Sequence, residues 1–447
     1  MGIHADRLIA LAQLRSAQRD DPELDLDALR LLAADERLQE QRAVIPALDQ
    51  RAREVGIDSV KSREDLVPLL FAHSNYKSYP ESFIAKGQWK RLSMWLNTVA
   101  AADVMAVDTG GVRDIDEWAD RLADTGIYLW ASSGTSGKAS FIPVSSRDME
   151  LNRRMSASIA GQWPGPMPVS VLAPAQASMK FAYSFKATAE AIGAPGQISY
   201  LSSKRMRLAD SMRSAAMRNA MANGTATPAD IAAYQADTAR AAAERDAEVR
   251  AMAMRVFSLR DRPQLLYGFW APAWRILEIG REQGIADGSF HPDTVVSLSG
   301  GLKGLDLPED YAAQVSRFFG STRPVSGYGM TELAFAFRMC HAGRYHPSPA
   351  ITLLMLDETG ERLLEPGADG KVRGRVGIYD VGHDGHWGGI VTGDQAVADF
   401  SATCDCGRPG PALEDSIVRY SELSAGGDDK LTCGGTINEY IRGALGG

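Results

Sequence analysis

Ser132-Ser133-Gly134-Thr135-Ser136-Gly137-Lys138 stands directly after an apolar run, Ile127 to Trp130, that has the length and composition of a strand. Two glycines let the backbone curl until successive N–H groups point inward, the Ser and Thr hydroxyls add donors, and Lys138 brings a positive charge suited to polyphosphate oxygens. The pattern predicts an ATP cradle. Taken alone it also reads as a flexible Ser/Gly turn. Its spacing differs from the Gly-x4-Gly-Lys-Ser/Thr of P-loop NTPases, so their fold is not implied.

Working outward, comparable short runs at Val169 to Ala173, Gln264 to Tyr267, Val295 to Leu298 and Ile351 to Leu356 alternate with helical stretches. That alternation predicts an α/β core. Upstream, Leu8, Leu11 and Leu14, then Leu29 and Leu32, then Leu48, Ala52 and Val55 recur at helical steps, so residues 1–115 read as an N-terminal helical layer. Residues 204–260 are rich in Ala, Met and Arg and read as a helical insertion, a pair of helices joined around Asn223 to Thr227. Thr227 supplies an N-cap and Pro228 the first turn. The methionines there (Met206, Met212, Met217, Met221, Met252 and Met254) read as ordinary core rather than as a lipid groove. From 350 to 410 the pattern turns to β, with turns at Glu365-Pro366-Gly367 and Asp369-Gly370, and predicts a β-rich subdomain.

Composition narrows the function. With 447 residues, 45% hydrophobic and 23% charged, the chain can bury one large core or two ordinary ones. Lys and Arg number 48 against 56 Asp and Glu, a net charge of -8 with no long basic run, which argues against nucleic acid as a main partner. No uncharged apolar stretch is long enough to cross a bilayer, and the expectation is a cytoplasmic protein without a membrane partner. Four cysteines in so long a chain do not make a disulfide framework; metal or thiol chemistry is the better question.

Two further motifs give the loop its companions. Tyr328-Gly329-Met330-Thr331-Glu332 offers an aromatic ring to stack on a base and a carboxylate to hold magnesium; Val391-Thr392-Gly393-Asp394 ends on a carboxylate able to take both hydroxyls of a ribose. In the order phosphate loop, Tyr-Gly-Met-Thr-Glu, Thr-Gly-Asp, the chain resembles the adenylate-forming superfamily of acyl-CoA synthetases, peptide-synthetase adenylation domains and luciferases, over roughly Tyr128 to Gly435. Ser140-Phe141-Ile142-Pro143, Gly300-Gly301-Leu302-Lys303 and Cys404-Asp405-Cys406-Gly407-Arg408 look like the phenylacetate-CoA ligase branch and its acyl-protein synthetase relatives.

The resemblance implies that Ser133, Gly134, Thr135, Ser136, Gly137 and Lys138 hold the phosphates of ATP and that Gly300 and Gly301 flank the adenine. It implies that Tyr328, with Gly329 beside it, covers the base, that Thr331 and Glu332 meet the α-phosphate and Mg2+, and that Asp394 binds the ribose. Arg419 matches the family's arginine beside the ribose and Asp428 and Asp429 lie near its hinge, although Tyr420 to Gly427 departs from the family pattern. The fold implied is a large adenylate-forming domain over 1–420, with 421–447 a truncated remnant of the C-terminal lid domain. The activity implied is attack of a carboxylate on the α-phosphorus of ATP, which needs positioning and charge neutralisation but no Ser-His-Asp triad. The acyl group would pass to CoA, an amine or a carrier protein, and a homodimer is compatible with this reading. A nucleotide-binding scaffold without turnover is the alternative. With so short a C-terminal segment, and no lysine after Lys430, poor activity as a conventional CoA ligase is expected; Cys433 is either a self-acylating thiol or a small residue in a turn.

Cys340 and His346, spaced Cys-x5-His, together with Cys404 and Cys406 predict a closed structural zinc site of three thiolates and one imidazole, with His341 in reserve. Unconnected buried thiols are the alternative. His383 and His386 flank Asp384, and a glycine-rich loop with solvent-exposed histidines is favoured there over a base or a metal pair.

Overall fold

A computed structural model describes residues 2–14, 24–132, 138–161, 163–300, 307–320, 327–401 and 403–423. The chain divides into two compact units: the first comprises 1–130, 140–151 and 327–447, the second 131–139 and 152–326. Its first strands are β1 (Phe71–Ala72), β2 (Ile127–Ala131), β3 (Phe141–Ser145), β4 (Met167–Ala177), β5 (Gly193–Met206), β6 (Leu265–Phe269) and β7 (Val295–Ser299). They are followed by β8 (Gly327–Tyr328), β9 (Phe337–Met339), β10 (Arg344–His346), β11 (Ile351–Leu356), β12 (Lys371–Asp380), β13 (Gly389–Asp399), β14 (Ala412–Glu414) and β15 (Val418–Arg419).

The second unit is built on a parallel sheet ordered β5-β4-β6-β7. Side chains alternate across it. Val169, Val171 and Leu265 enter one apolar cluster with Phe185 and Ile192, whereas Leu172, Leu266, Val296 and Leu298 enter another with Val256, Phe257 and Phe318. Burial on both faces is what a parallel sheet with helical crossovers requires, and it explains the apolar runs within β4, β6 and β7. The helix Pro228–Ser258 starts at a capping box in which Thr227 and Asp230 satisfy each other's backbone N–H groups. Of the methionines in this region, Met252 belongs to the core while Met221 and Met254 are exposed. Met206, Met212 and Met217 are half-buried, so the ordinary-core reading holds fully for Met252 and not for Met221 or Met254.

The first unit holds a sheet ordered β11-β12-β13-β14-β10-β9-β8, with β1 and β15 also pairing along β13. The expected N-terminal helical layer contains the strand β1, which pairs parallel to β13 through Phe71 with Ile390 and Ala72 with Val391. Around it the helices are well specified. Asp25 caps Leu26–Arg42 through the Ala28 N–H, and Asp114 caps Ile115–Asp124 through the N–H groups of Asp116 and Glu117. Arg30 Nε donates to the Pro349 carbonyl at 3.0 Å, so the helix Leu26–Arg42 is tied to chain 319 residues away. The aromatic core stacks Tyr79 on Phe141 at 4.8 Å and sets Trp95 edge-on to Tyr79 at 5.0 Å. The indole N–H groups of Trp95 and Trp118 reach the hydroxyls of Ser78 and Ser93, so burial strands no donor there.

Candidate functional site

In the second unit, the carboxyl ends of the parallel strands converge on the positions expected to meet nucleotide. β4 ends beside Ser178, whose carbonyl accepts the Ala131 N–H at 3.0 Å and so fixes the chain at the entrance to the glycine-rich loop. Lys138, at the loop's exit, is half-buried. Gly300 follows β7 with φ +83, and a Cβ there would lie 2.9 Å from Cδ1 of Phe269 at the end of β6, so conformation and space both call for glycine. Open α/β sheets bind ligands at these strand ends. Ser133, Gly134, Thr135, Ser136, Gly137 and Gly301 lie outside the described residues, as do Asp428, Asp429, Lys430 and Cys433.

In the first unit, Tyr328, Asp394 and Arg419 come together. The Tyr328 hydroxyl donates to Asp394 Oδ2 at 2.8 Å and Arg419 Nε lies 3.2 Å from Oδ1. The Asp394 side chain is only 6% exposed against 60% for Arg419. Burial, and then the Asp394 charge, pushes the Tyr328 phenol well above its ordinary pKa, so it stays the donor. Asp394 owes its direction to a break in the sheet. Arg375 faces Gln395 and Gly377 faces Val391, so that Thr392, Gly393 and Asp394 bulge opposite Val376 alone. Within the bulge Thr392 Oγ1 donates to the Val376 carbonyl and accepts the Asp394 N–H.

Gly329, Thr331 and Glu332 follow β8 in the same unit, and Thr331 and Glu332 are half-buried. The Tyr76 phenol is pushed up chiefly by burial and further by the Glu332 charge, which places that carboxylate in its electrostatic neighbourhood. The turn is held by Asp380, a residue sequence reasoning missed. Its Oδ2 accepts the N–H groups of Ala334 and Phe335 at 2.8 and 3.0 Å, and its Oδ1 that of Gly382 at 2.9 Å. Asp380→Ala is expected to strand three largely buried donors and cost about 3 kcal/mol or more, read as a lowered urea midpoint. An unchanged midpoint would show that the turn does not depend on Asp380. The sequence signal for Asp380 is a lone carboxylate closing the apolar second half of its strand, Val376 to Tyr379.

The four expected metal ligands also meet. The ligand atoms of Cys340, His346, Cys404 and Cys406 all lie within 4.8 Å of one another, and Cys406 Sγ is 3.4 Å from His346 Nε2. Two turns of one design present the three cysteines, and His346 ends β10. In Cys340-His341-Ala342-Gly343-Arg344 the Cys340 N–H reaches the Arg344 carbonyl at 2.8 Å; in Cys404-Asp405-Cys406-Gly407-Arg408 the Cys404 N–H reaches the Arg408 carbonyl at 2.9 Å. Both close through a left-handed glycine, Gly343 at φ 70 and Gly407 at φ 83. Burial acts to raise the Cys340 thiol, but the Arg344 and Ala342 N–H groups directed at it prevail and hold it below its ordinary value. Burial pushes Cys406 up to about 11. A tetrahedral zinc with sulfur ligands at about 2.3 Å needs its donors about 3.7 Å apart, so this set accepts the ion with small adjustments.

His383 and His386 correct the sequence reading: each is 1% exposed. Their loop is glycine-rich but enclosed. Gln41 Nε2 donates to the carbonyls of His383 and His386, Arg37 donates to that of His383, and the Asp148 carboxylate accepts the N–H groups of Asp384 and Gly385. His386 Nδ1 lies 2.9 Å from the Pro143 carbonyl. Glycines admit close backbone approach here rather than solvent.

No family model matches the chain, and no curated protein does. Among solved structures it is similar to 2-hydroxyisobutyryl-CoA ligase in complex with 2-HIB-AMP and CoA in the thioesterification state. That match has a TM-score of 0.53 and 13% identity, over 91% of this chain and 69% of the other. The open conformation of the same ligase with 2-HIB-AMP and CoA gives 0.52 and 12%, over 92% and 71%. Its postadenylation state with R3-HIB-AMP gives 0.51 and 12%, over 91% and 69%. At such identity the likeness is one of fold. No helix among the described residues is long and apolar enough to cross a membrane.

Proposed function

We propose that this protein, which has the adenylate-forming fold, uses ATP to convert a carboxylic acid into its acyl-adenylate with release of pyrophosphate. The observation that carries the reading is the Tyr328-Asp394-Arg419 cluster, a buried carboxylate fixed at a strand bulge, the kind of group that can take ribose hydroxyls. The substrate carboxylate, ionised at neutral pH, forms the new P–O bond at the α-phosphorus, and the electron pair of the broken bond leaves with pyrophosphate. No protein base is needed. Lys138 and the loop residues Ser133 to Gly137 would hold the phosphates, Tyr328 would cover the base, Gly300 and Gly301 would flank it, and Thr331 would orient the α-phosphate. Glu332 would hold magnesium, a hard cation suited to a carboxylate oxygen, and the ion would neutralise charge on the phosphates. Phe181, Phe185, Tyr267 and Phe269 form a ring cluster at centroid spacings of 4.7 to 5.7 Å beside Gly300, which favours an acid with an apolar body. CoA, an amine or a carrier protein would take the acyl group. Cys340, His346, Cys404 and Cys406 would hold a structural zinc, in keeping with the phenylacetate-CoA ligase branch.

Exchange of labelled pyrophosphate into ATP, run against a panel of aryl and fatty acids, tests the reading. Exchange that depends on one class of acid is the expected result. ATP binding with no exchange for any acid would make the chain a nucleotide-binding scaffold instead.

A further inference from the structure

We propose that Arg375 is a positioning residue for the nucleotide, holding the Asp394 carboxylate in its ribose-facing geometry from both sides at once; the proposal rests on the ATP reading above. Arg375 is 1% exposed, an expensive place for a charge unless it is well partnered. Its Nη1 donates to the Thr392 carbonyl at 2.9 Å and its Nε to the Glu358 carbonyl at 2.9 Å. Its Cζ sits 3.8 Å from the centroid of the Tyr420 ring, within stacking range. The first contact secures the bulge from within. Thr392 is two residues before Asp394, and its hydroxyl accepts the Asp394 N–H. The ring contact secures the other side, because Tyr420 directly follows Arg419, the residue paired with Asp394 both as a strand neighbour and as an ion pair. One guanidinium thus ties down both chain segments that aim the carboxylate. A lysine lacks the planar fork needed to serve a carbonyl and a ring face together.

The consequence is read in sugar selectivity. Binding of ATP and of 2′-deoxy-ATP, each with magnesium, is measured by calorimetry on the full chain and on Arg375→Met, Arg375→Lys, Tyr420→Leu and Tyr420→Phe. The wild-type chain is expected to prefer ATP by about tenfold or more, the worth of a hydrogen bond to a charged group. In Arg375→Met and Tyr420→Leu the ratio should fall toward one, mainly through weaker ATP binding, with Arg375→Lys close behind; Tyr420→Phe, which retains the ring, should recover most of it. A role confined to stability would lower the melting temperature and leave the ratio alone. If Arg375→Met does not fold, Tyr420→Leu against Tyr420→Phe decides the matter from the ring's side of the contact. Folded variants that keep the wild-type ratio overturn the positioning role while the ATP reading stands. A wild-type chain that binds both nucleotides equally, or neither, overturns the ribose assignment and the positioning role with it.

Discussion

Replacing Glu332 by Gln is expected to cut acid-dependent pyrophosphate exchange by about a hundredfold or more, the scale on which one charge-stabilising group acts in a transition state. The substitution keeps shape and removes charge, and a hundredfold corresponds to roughly 2.7 kcal/mol of barrier. Glu332 is half-buried in a turn whose following residues are pinned by Asp380, so the fold should not register the change. The melting temperature should therefore stay within a degree or two while exchange collapses, and raising magnesium should restore part of the rate. Normal exchange in the variant would remove Glu332 from the metal and, with it, the reading of the Tyr-Gly-Met-Thr-Glu turn.

The largest effect on stability is expected from the metal cluster. Purified protein should carry about one zinc per chain by elemental analysis, and Cys404→Ser or Cys340→Ser should lose it. Because the ligands come from the turn between β9 and β10, from β10 itself at His346, and from the turn before β14, the ion would join segments whose own pairing is short: β10 meets β14 at Arg344 with Glu414 and Tyr345 with Leu413. Chelation should lower the melting temperature steeply, since binding free energy of this kind is folding free energy. Initial exchange rates well below the new melting point should change less. Protein never exposed to chelator that contains no metal would refute the assignment.

What the sequence disclosed follows a physical pattern. The buried strands were legible because both faces demand apolar residues: Ile351 to Leu356 agrees with β11, Val295 to Leu298 stops one residue short of the end of β7, and Gln264 to Tyr267 starts one residue before β6 and stops two short of its end. β5 was not legible, since Gly193–Met206 lies at the edge of its sheet, half exposed, with neither alternation nor an apolar run. Tyr328, Asp394 and the metal ligands could be found because their side chains do chemistry that only a few residue types perform. Asp380, Arg375 and Asp148 could not, because many of their partners are main-chain groups far away in sequence, and any residue supplies a main-chain N–H or carbonyl. The buried histidines misled for a related reason: a glycine-rich segment looks the same whether it faces water or another backbone.

The helix Leu26–Arg42 has a consequence for how the protein is made. Arg37 is bound to the His383 carbonyl, 346 residues later. At about 5–20 residues per second, roughly 20–70 s of synthesis separate that helix from its partner. The second unit, continuous from 152 to 326 apart from 131–139, can finish on the ribosome in the meantime. These helices are thus translated long before the segment that completes them, and their unmatched apolar faces are what a chaperone would meet on the nascent chain.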